Sequence, residues 1–191
     1  MEIEAKIRLK NHQKLRASLK SVGATFITRS LEKNWLYDYP DRALAKADKL
    51  LRLREDGRVY FTFKGPRQKS EYKEREEIEF DFPDGSSARS LCENIGFRRW
   101  FYYEKNRETW KLGDCEVVID ELPELGIFVE IEGPTKPEIE DAIKKLKLPR
   151  KYIATTYVEM LQDHAAETNR KTHEFRFPPK HKSILADDRE E

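Results

Sequence analysis

The sequence of 191 residues contains only two cysteines, Cys92 and Cys115, and no Cys-x-x-Cys pair. A disulfide framework or a zinc site needs more ligands in closer groups, so reduced thiols are expected, as in a cytoplasmic protein. No apolar run approaches the roughly 20 residues of a membrane span, and the charged N-terminus lacks the pattern of a signal peptide. The sequence therefore predicts a cytoplasmic protein with no membrane partner.

An excess of charge of one sign is also lacking. Lys and Arg total 37 and Asp and Glu total 36, which leaves a net charge of +1. This balance favours neither nucleic acid nor an anionic membrane as a partner. Charged residues nevertheless make up 38% of the chain, well above the roughly 25% of an average soluble domain.

Three motifs of common enzymes are absent from the sequence. It contains no Gly-x-x-x-x-Gly-Lys-Ser/Thr loop, no Gly-x-Gly-x-x-Gly turn and no Gly-x-Ser-x-Gly elbow. The common nucleotide-binding folds and the nucleophile elbow of hydrolases are therefore disfavoured.

What the sequence does contain is a series of short alternating segments, which predict about eight strands joined mostly by short turns. A helix is expected from an Asn11 cap to Gly23, and another from a Ser86 or Ser87 cap to Gly96. Two more helices are expected near 137–147 and 152–163. The fold class is mainly β with helices (α+β), and so many antiparallel strands close into a barrel or split into a sandwich.

The apolar periodicity stops near His164. Residues 1–163 are therefore expected to form one domain, and residues 164–191 a charged, mostly extended and flexible tail.

Charged residues repeat with period 2 along the predicted strands, which places them on one strand face. The pairs and triples are Glu2/Glu4/Lys6, Arg52/Arg54, Lys73/Arg75/Glu77/Glu79, Lys105/Arg107 and Glu130/Glu132. In one interpretation these faces point to water. In the other they line a water-filled barrel whose apolar outer face is covered by helices, and that lumen must hold metal ions and a charged ligand. Few Ser, Thr, Gln or Asn residues share these faces, which favours the lumen.

The tripeptide Glu-Ile-Glu occurs at 2–4, 77–79 and 130–132 in predicted strands, and at 138–140 in a helical pattern. In a strand its carboxylates share a face. Carboxylates without His or Cys neighbours suit Mg²⁺ or Mn²⁺, and Arg and Lys in the same cavity would bind phosphates. A triphosphate carried with its metal fits this combination better than a single phosphate.

These residues resemble the ExExK signature of the CYTH superfamily, the triphosphate tunnel metalloenzymes. The resemblance covers about residues 1–163 in order. It continues through Leu51-Arg52-Leu53-Arg54, Phe63-Lys64-Gly65-Pro66, Arg75-Glu76-Glu77-Ile78-Glu79, Lys105-Asn106-Arg107, Asp120-Glu121-Leu122, the segment 125–133 and Thr156-Tyr157-Val158-Glu159-Met160-Leu161. The sequences of these motifs are most similar to those of the class IV adenylyl cyclase branch.

The resemblance implies an eight-stranded antiparallel β-barrel that forms a charged tunnel, with helices packed outside. The protein is expected to be a monomer or a homodimer. It implies metal binding, by two Mg²⁺ or Mn²⁺ ions, at Glu2, Glu4, Glu77, Glu79, Asp120, Glu130 and Glu132. It implies substrate binding at Lys6, Arg52, Arg54, Lys64, Arg75, Lys105 and Arg107. Catalysis is expected to depend on Glu2, Glu4, Lys6, Arg52 and Arg54.

The leading functional prediction is metal-dependent hydrolysis of inorganic triphosphate or of a nucleoside triphosphate. A class IV adenylyl cyclase is the first alternative, because cyclisation of ATP needs the same metals and cations. A thiamine triphosphatase is less similar, since Leu50 stands where those enzymes carry a Trp. The remaining alternative is a non-catalytic module that binds polyphosphate or nucleotide.

Overall fold

The structure, a computed structural model, describes residues 2–67 and 73–185, and at residues 2, 73 and 74 it describes the backbone alone. The strands in these ranges are β1 (Glu2–Leu9), β2 (Thr25–Asp38), β3 (Leu50–Glu55), β4 (Val59–Lys64), β5 (Lys73–Arg75), β6 (Glu77–Phe82), β7 (Arg98–Leu112), β8 (Cys115–Leu122), β9 (Gly126–Gly133) and β10 (Glu174–Phe175). The helices are α1 (His12–Ser21), α2 (Ala43–Lys46), α3 (Gly85–Asn94), α4 (Lys136–Lys145) and α5 (Tyr157–Glu167). The predicted class, mainly β with helices, is confirmed.

Nine strands form one antiparallel sheet in the order β5-β1-β9-β8-β7-β2-β3-β4-β6. The single strand predicted over 73–82 is divided at Glu76: β5 pairs with β1, and β6 pairs with β4. The two edges of the sheet are therefore consecutive pieces of chain, and the backbone N–H of Gly65 donates to the Glu76 carbonyl at 2.9 Å. The sheet curls around a cavity, but between β5 and β6 its ladder does not close as an ideal eight-stranded barrel would.

The apolar face of the sheet lies outside, under the helices, as predicted. Leu15 and Leu19 of α1 and Ile139 and Ile143 of α4 are buried against the outer faces of β1, β8 and β9. A second cluster packs α3 on the outer side of β2 and β3. Helix α5 differs, because the cluster that packs it on β7, β8 and β9 includes the cavity-lining residues Leu36, Tyr103 and Val158. The charged faces of the same strands are consequently turned toward the cavity.

Side-chain caps set where several helices begin. The Asn11 side chain accepts from the backbone N–H of Lys14, which confirms the predicted cap of α1. The prediction of Ser86 or Ser87 as the cap of α3 is wrong, because Asp84 accepts from both of their backbone N–H groups. Thr156 and Glu159 form a reciprocal capping box at the start of α5.

The segment after α5 packs on the sheet, so the prediction of a flexible tail is wrong through residue 185. Strand β10 pairs in parallel with β7, and Phe175 and Leu185 are both fully buried. The ring of Phe175 stacks on Phe101 with centroids 5.5 Å apart. These apolar residues form no periodic pattern in the sequence, so the pattern gave no sign of their packing. Residues 186–191 lie outside the described part of the chain.

Candidate active site

The inner face of the sheet surrounds a cavity of about 310 Å³. Among the described residues, its lining carries seven cationic side chains and six carboxylates. The cations are Lys6, Arg52, Arg54, Lys64, Arg75, Lys105 and Arg107, and the acids are Glu4, Glu77, Glu79, Glu116, Glu130 and Glu132.

Three of the carboxylates form a compact cluster on neighbouring strands. The pairing of β1 with β9 places Glu4 opposite Glu132 and Lys6 opposite Glu130. Glu4, Glu130 and Glu132 can each offer one oxygen within 4.8 Å of the others. The β8–β9 register adds Glu116 opposite Glu132. Because like charges opposite each other destabilise a sheet, this row favours a bound cation.

The donor chemistry of the cluster fits a hard divalent cation. Carboxylate oxygens without His or Cys are the ligands that Mg²⁺ and Mn²⁺ prefer. Glu4 is 9% exposed and Glu130 only 4%, so these charges are largely withdrawn from water. Lys6 at 3.2 Å and Arg107 at 2.8 Å already compensate Glu130, and a metal ion would share this carboxylate with them. The residues present therefore fit a hard divalent cation, which Glu4, Glu130 and Glu132 could hold.

Lys6 lies between the acid cluster and helix α5. Its ammonium group is 3.2 Å from Glu130 and 3.8 Å from Glu4. It also donates to the Thr155 carbonyl at 3.2 Å and lies 4.0 Å from the centre of the Tyr157 ring. These contacts hold the cation at the border between the acids and the other basic side chains.

Strand β7 supplies two more cations, which share one buried carboxylate. Arg107 donates to Asp120 from Nε at 2.7 Å and from Nη2 at 2.6 Å, and Lys105 donates to Asp120 at 3.3 Å. The Tyr157 hydroxyl donates to the same carboxylate at 3.1 Å. Burial, with Asp120 and Glu130 nearby, raises the pKa of Tyr157, so this hydroxyl keeps its proton and remains a donor.

Glu32 of β2 is a buried acid behind the same cations, and its side chain is only 1% exposed. Its oxygens lie 3.2 Å from Lys105, 3.6 Å from Arg107 and 3.7 Å from Arg54. Burial by itself would raise the pKa of Glu32, but these three cations together with Arg52 outweigh it and lower that pKa to about 2. The group is therefore a carboxylate throughout the physiological range.

The opposite wall of the cavity is formed by β3, β4 and β6. Arg52 lies 3.8 Å from Glu77 and 3.7 Å from Glu79, and Lys64 donates to Glu77 at 2.6 Å. Within the described ranges, the buried Nε groups of Arg52 and Arg54 have no hydrogen-bond partner. The Nε of Arg54 nevertheless lies 3.6 Å from an Asp56 oxygen, and such buried donors are costly to leave without a hydrogen bond.

Arg75 also lines the cavity, but its guanidinium is tied to the backbone. It donates to the Gly65 carbonyl at 2.7 Å and to the Asp48 carbonyl at 2.8 Å. Burial lowers the pKa of Arg75 despite the nearby carboxylate of Asp48. This arginine therefore both contributes charge and ties the segment before β3 to the segment after β4.

The structure brings the predicted site residues together with two qualifications. Asp120 is fully buried and does not line the cavity, and the side chain of Glu2 lies outside the described residues. Sequence reasoning missed Glu32, Glu116 and the part played by Tyr157. Glu116 follows the period-2 pattern of its strand, four residues before Asp120, so alternation could have identified it.

The chain belongs to the CYTH domain family, whose pattern matches residues 1–157. A candidate adenylate cyclase of Methanocaldococcus jannaschii is 34% identical over 133 residues, which cover 69% of this chain and 76% of that protein.

Solved structures share the fold. A candidate adenylate cyclase of Vibrio parahaemolyticus has a TM-score of 0.77 at 24% identity, over 84% of this chain and 97% of that one. A candidate adenylyl cyclase of Hippeastrum, described as having a dominant triphosphatase activity, has a TM-score of 0.62 at 18% identity, over 95% of this chain and 100% of that one.

No helix in the part of the chain that the structure describes is long and apolar enough to cross a membrane.

Proposed function

We propose that this protein is a Mg²⁺- or Mn²⁺-dependent triphosphatase that acts on inorganic triphosphate or a nucleoside triphosphate. The observation that carries the proposal is the cluster of Glu4, Glu130 and Glu132 in the same cavity as seven basic side chains. Metal and triphosphate would enter as one complex. The metal would balance the charge of the acid cluster, and the triphosphate would balance the charge of the basic side chains.

The basic residues would bind and orient the phosphate chain. Arg52 and Arg54 line the cavity, and charge-assisted hydrogen bonds from guanidinium groups are among the strongest in proteins. Lys6, placed beside Glu130, would contact phosphate oxygens nearest the metal. As charge shifts on the transferring phosphoryl group, these fixed cations would stabilise it without reorganisation.

The acid cluster would hold one or two ions through Glu4, Glu130 and Glu132. When bound, the metal would neutralise phosphate charge and lower the pKa of a coordinated water. The sequence predicted Asp120 as a metal ligand, but we propose a different role for it. Its buried carboxylate would hold Arg107 and Lys105 in place, and the Tyr157 hydroxyl donates to the same carboxylate. We assign Arg107 and Lys105 to phosphate binding on that basis.

Adenylyl cyclase activity is the second candidate, favoured by the similarity to the Methanocaldococcus jannaschii protein. Incubation of purified protein with Mn²⁺ and either tripolyphosphate or ATP, followed by identification of the products, separates the two. Phosphate release is the expected result. Cyclic AMP as the main product would overturn the proposed hydrolysis, and tight binding without any product would indicate a binding module. A further incubation with thiamine triphosphate tests that substrate.

Two matched variants test the metal site. Glu132→Gln should abolish turnover and leave a folded protein. Glu140→Gln alters the same Glu-Ile-Glu tripeptide in α4, where Glu140 bonds Tyr152 outside the cavity, and should retain full activity. Activity that survives both Glu132→Gln and EDTA would refute the metal assignment.

A further inference from the structure

A carboxylate that touches no part of the cavity lies behind its basic wall. Glu32 is 1% exposed and sits on β2, where the β2–β7 register places it directly opposite Lys105. Arg54 approaches from β3 and Arg107 from β7. One buried acid thus faces cations from both neighbouring strands.

The contacts of Glu32 differ from those of Asp120 in a way that matters for binding. Asp120 accepts hydrogen bonds from both arms of the Arg107 guanidinium. Glu32 lies 3.2 to 3.7 Å from its three cations, and its Oε2 has no hydrogen-bond partner in the described ranges. The carboxylate therefore neutralises the cations while leaving their donors available.

We propose that Glu32 is a positioning residue that sets the affinity of the cavity for triphosphate, holding Arg54, Lys105 and Arg107 in place while limiting the positive potential that a polyanion meets. This inference rests on the proposed function for its substrate class. Without Glu32 the three cations would repel one another and a bound polyanion would be held more tightly. Turnover would fall, because the cations are less ordered and the product leaves more slowly.

Asn34 offers a test of the opposite sign on the same strand face. Its side chain is fully buried, its amide atoms have no partner among the described residues, and its register partners are Arg54 and Tyr103. Asn34→Asp would add a carboxylate opposite Arg54, one of the three cations, and Glu32→Gln would remove one. Both changes nearly preserve side-chain volume.

A control acid lies on the outer side of the sheet. Glu108 is fully buried and accepts from Arg16, Arg29 and the Trp110 indole N–H. Its strand neighbour Arg107 lines the cavity, whereas Glu108 faces away from it. Glu108→Gln therefore removes an equally buried, arginine-paired carboxylate without changing the inner wall.

The experiment is calorimetric titration of the full chain with tripolyphosphate in EDTA, followed by kcat and KM for phosphate release with Mn²⁺. A charge within a few ångströms shifts an ionic equilibrium by roughly one to three powers of ten. We therefore expect about tenfold tighter binding for Glu32→Gln, with kcat and KM both lowered, and about tenfold weaker binding for Asn34→Asp. Glu108→Gln should bind as the wild type does.

The order of affinities decides the matter. Unchanged or weaker binding by Glu32→Gln would overturn the proposal, as would unchanged or tighter binding by Asn34→Asp, which remains decisive where Glu32→Gln fails to fold. Binding needs no turnover, so a wild type that binds tripolyphosphate without hydrolysing it refutes the proposed activity and leaves this ordering to be read independently.

Discussion

Replacement of Asp120 by Asn distinguishes an anchor of the basic wall from a metal ligand. Asp120 is fully buried and accepts two hydrogen bonds from Arg107, one from Lys105 and one from Tyr157. Asparagine keeps the shape of the side chain but replaces one acceptor oxygen with an NH2 donor. Because Arg107 donates to both oxygens of Asp120, this NH2 group would face a donor of Arg107. It also leaves two buried cations short of an acid.

The magnitude follows from these contacts. Removing one partner of a buried ion pair costs about 3–5 kcal/mol where the remaining charge has no other partner. Lys105 keeps Glu32 at 3.2 Å and Arg107 keeps Glu130 at 2.8 Å, so we expect the lower bound, about 3 kcal/mol. For a chain of 150–250 residues each kcal/mol lowers Tm by about 2–4 °C, so Asp120→Asn should lower Tm by roughly 6–12 °C. Urea unfolding with an unchanged m-value would show that the loss belongs to the folded state.

Ligand binding supplies the second measurement. Asp120→Asn leaves Glu4, Glu130 and Glu132 unaltered, so calorimetry should find Mn²⁺ binding retained and tripolyphosphate binding weakened. Glu132→Gln should show the reverse, with Mn²⁺ binding lost. The reasoning fails if Asp120→Asn leaves the urea midpoint unchanged, or if it abolishes Mn²⁺ binding as completely as Glu132→Gln does.

Three other predictions address binding, packing and pH. Arg52→Ala should remove most of the stabilisation by tripolyphosphate, which for the wild type is about 2.7 kcal/mol at a hundredfold excess over Kd; thermal shifts measure it, with sulfate as the control, and an undiminished shift would contradict it. Phe175→Ala should cost about 3–5 kcal/mol in urea unfolding, because a fully buried ring is removed; a loss below about 1 kcal/mol would mean that this segment is not packed on the sheet. The pKa of Glu32 falls from an ordinary 4.5 to about 2 on folding, so its contribution of roughly 3 kcal/mol is present above pH 4.5 and is lost as the pH falls toward 2. Glu32→Gln should flatten the pH dependence of stability in that window, and an unaltered slope would refute this assignment.

Alternation along the strands was sufficient to predict most of the cavity lining. In a strand with both faces buried, the charged face must point to a space that holds water or ligand, and the apolar face to the helices. Pairs such as Arg52 and Arg54 on β3 or Lys105 and Arg107 on β7 follow directly from their spacing of two. The roles of these residues remain predictions, because spacing identifies a face and says nothing of what binds there.

What could not be predicted depends on register between distant segments. Glu32 meets Lys105 because β2 and β7 pair over most of their length, and no local pattern encodes that alignment. Asp120 follows the same alternation as the lining residues, yet it is fully buried, and Arg107, which donates to it, lines the cavity instead. Phe175 and Leu185 pack into hydrophobic clusters that other strands and helices form. Apolar residues without a periodic pattern do not reveal such packing.

The arrangement of charge, more than its total, explains why an almost neutral chain can hold a polyanion. The lining of the described residues has seven cations and six acids, and the buried Glu32 and Asp120 lie behind it. Summed together these charges nearly cancel, which allows the protein to fold without a ligand. Yet Glu4, Glu130 and Glu132 form one group, whereas Arg52 and Arg54 lie across the cavity on β3. A metal bound to the acids and phosphates bound to the cations would each satisfy one group, so either ligand should bind more weakly without the other.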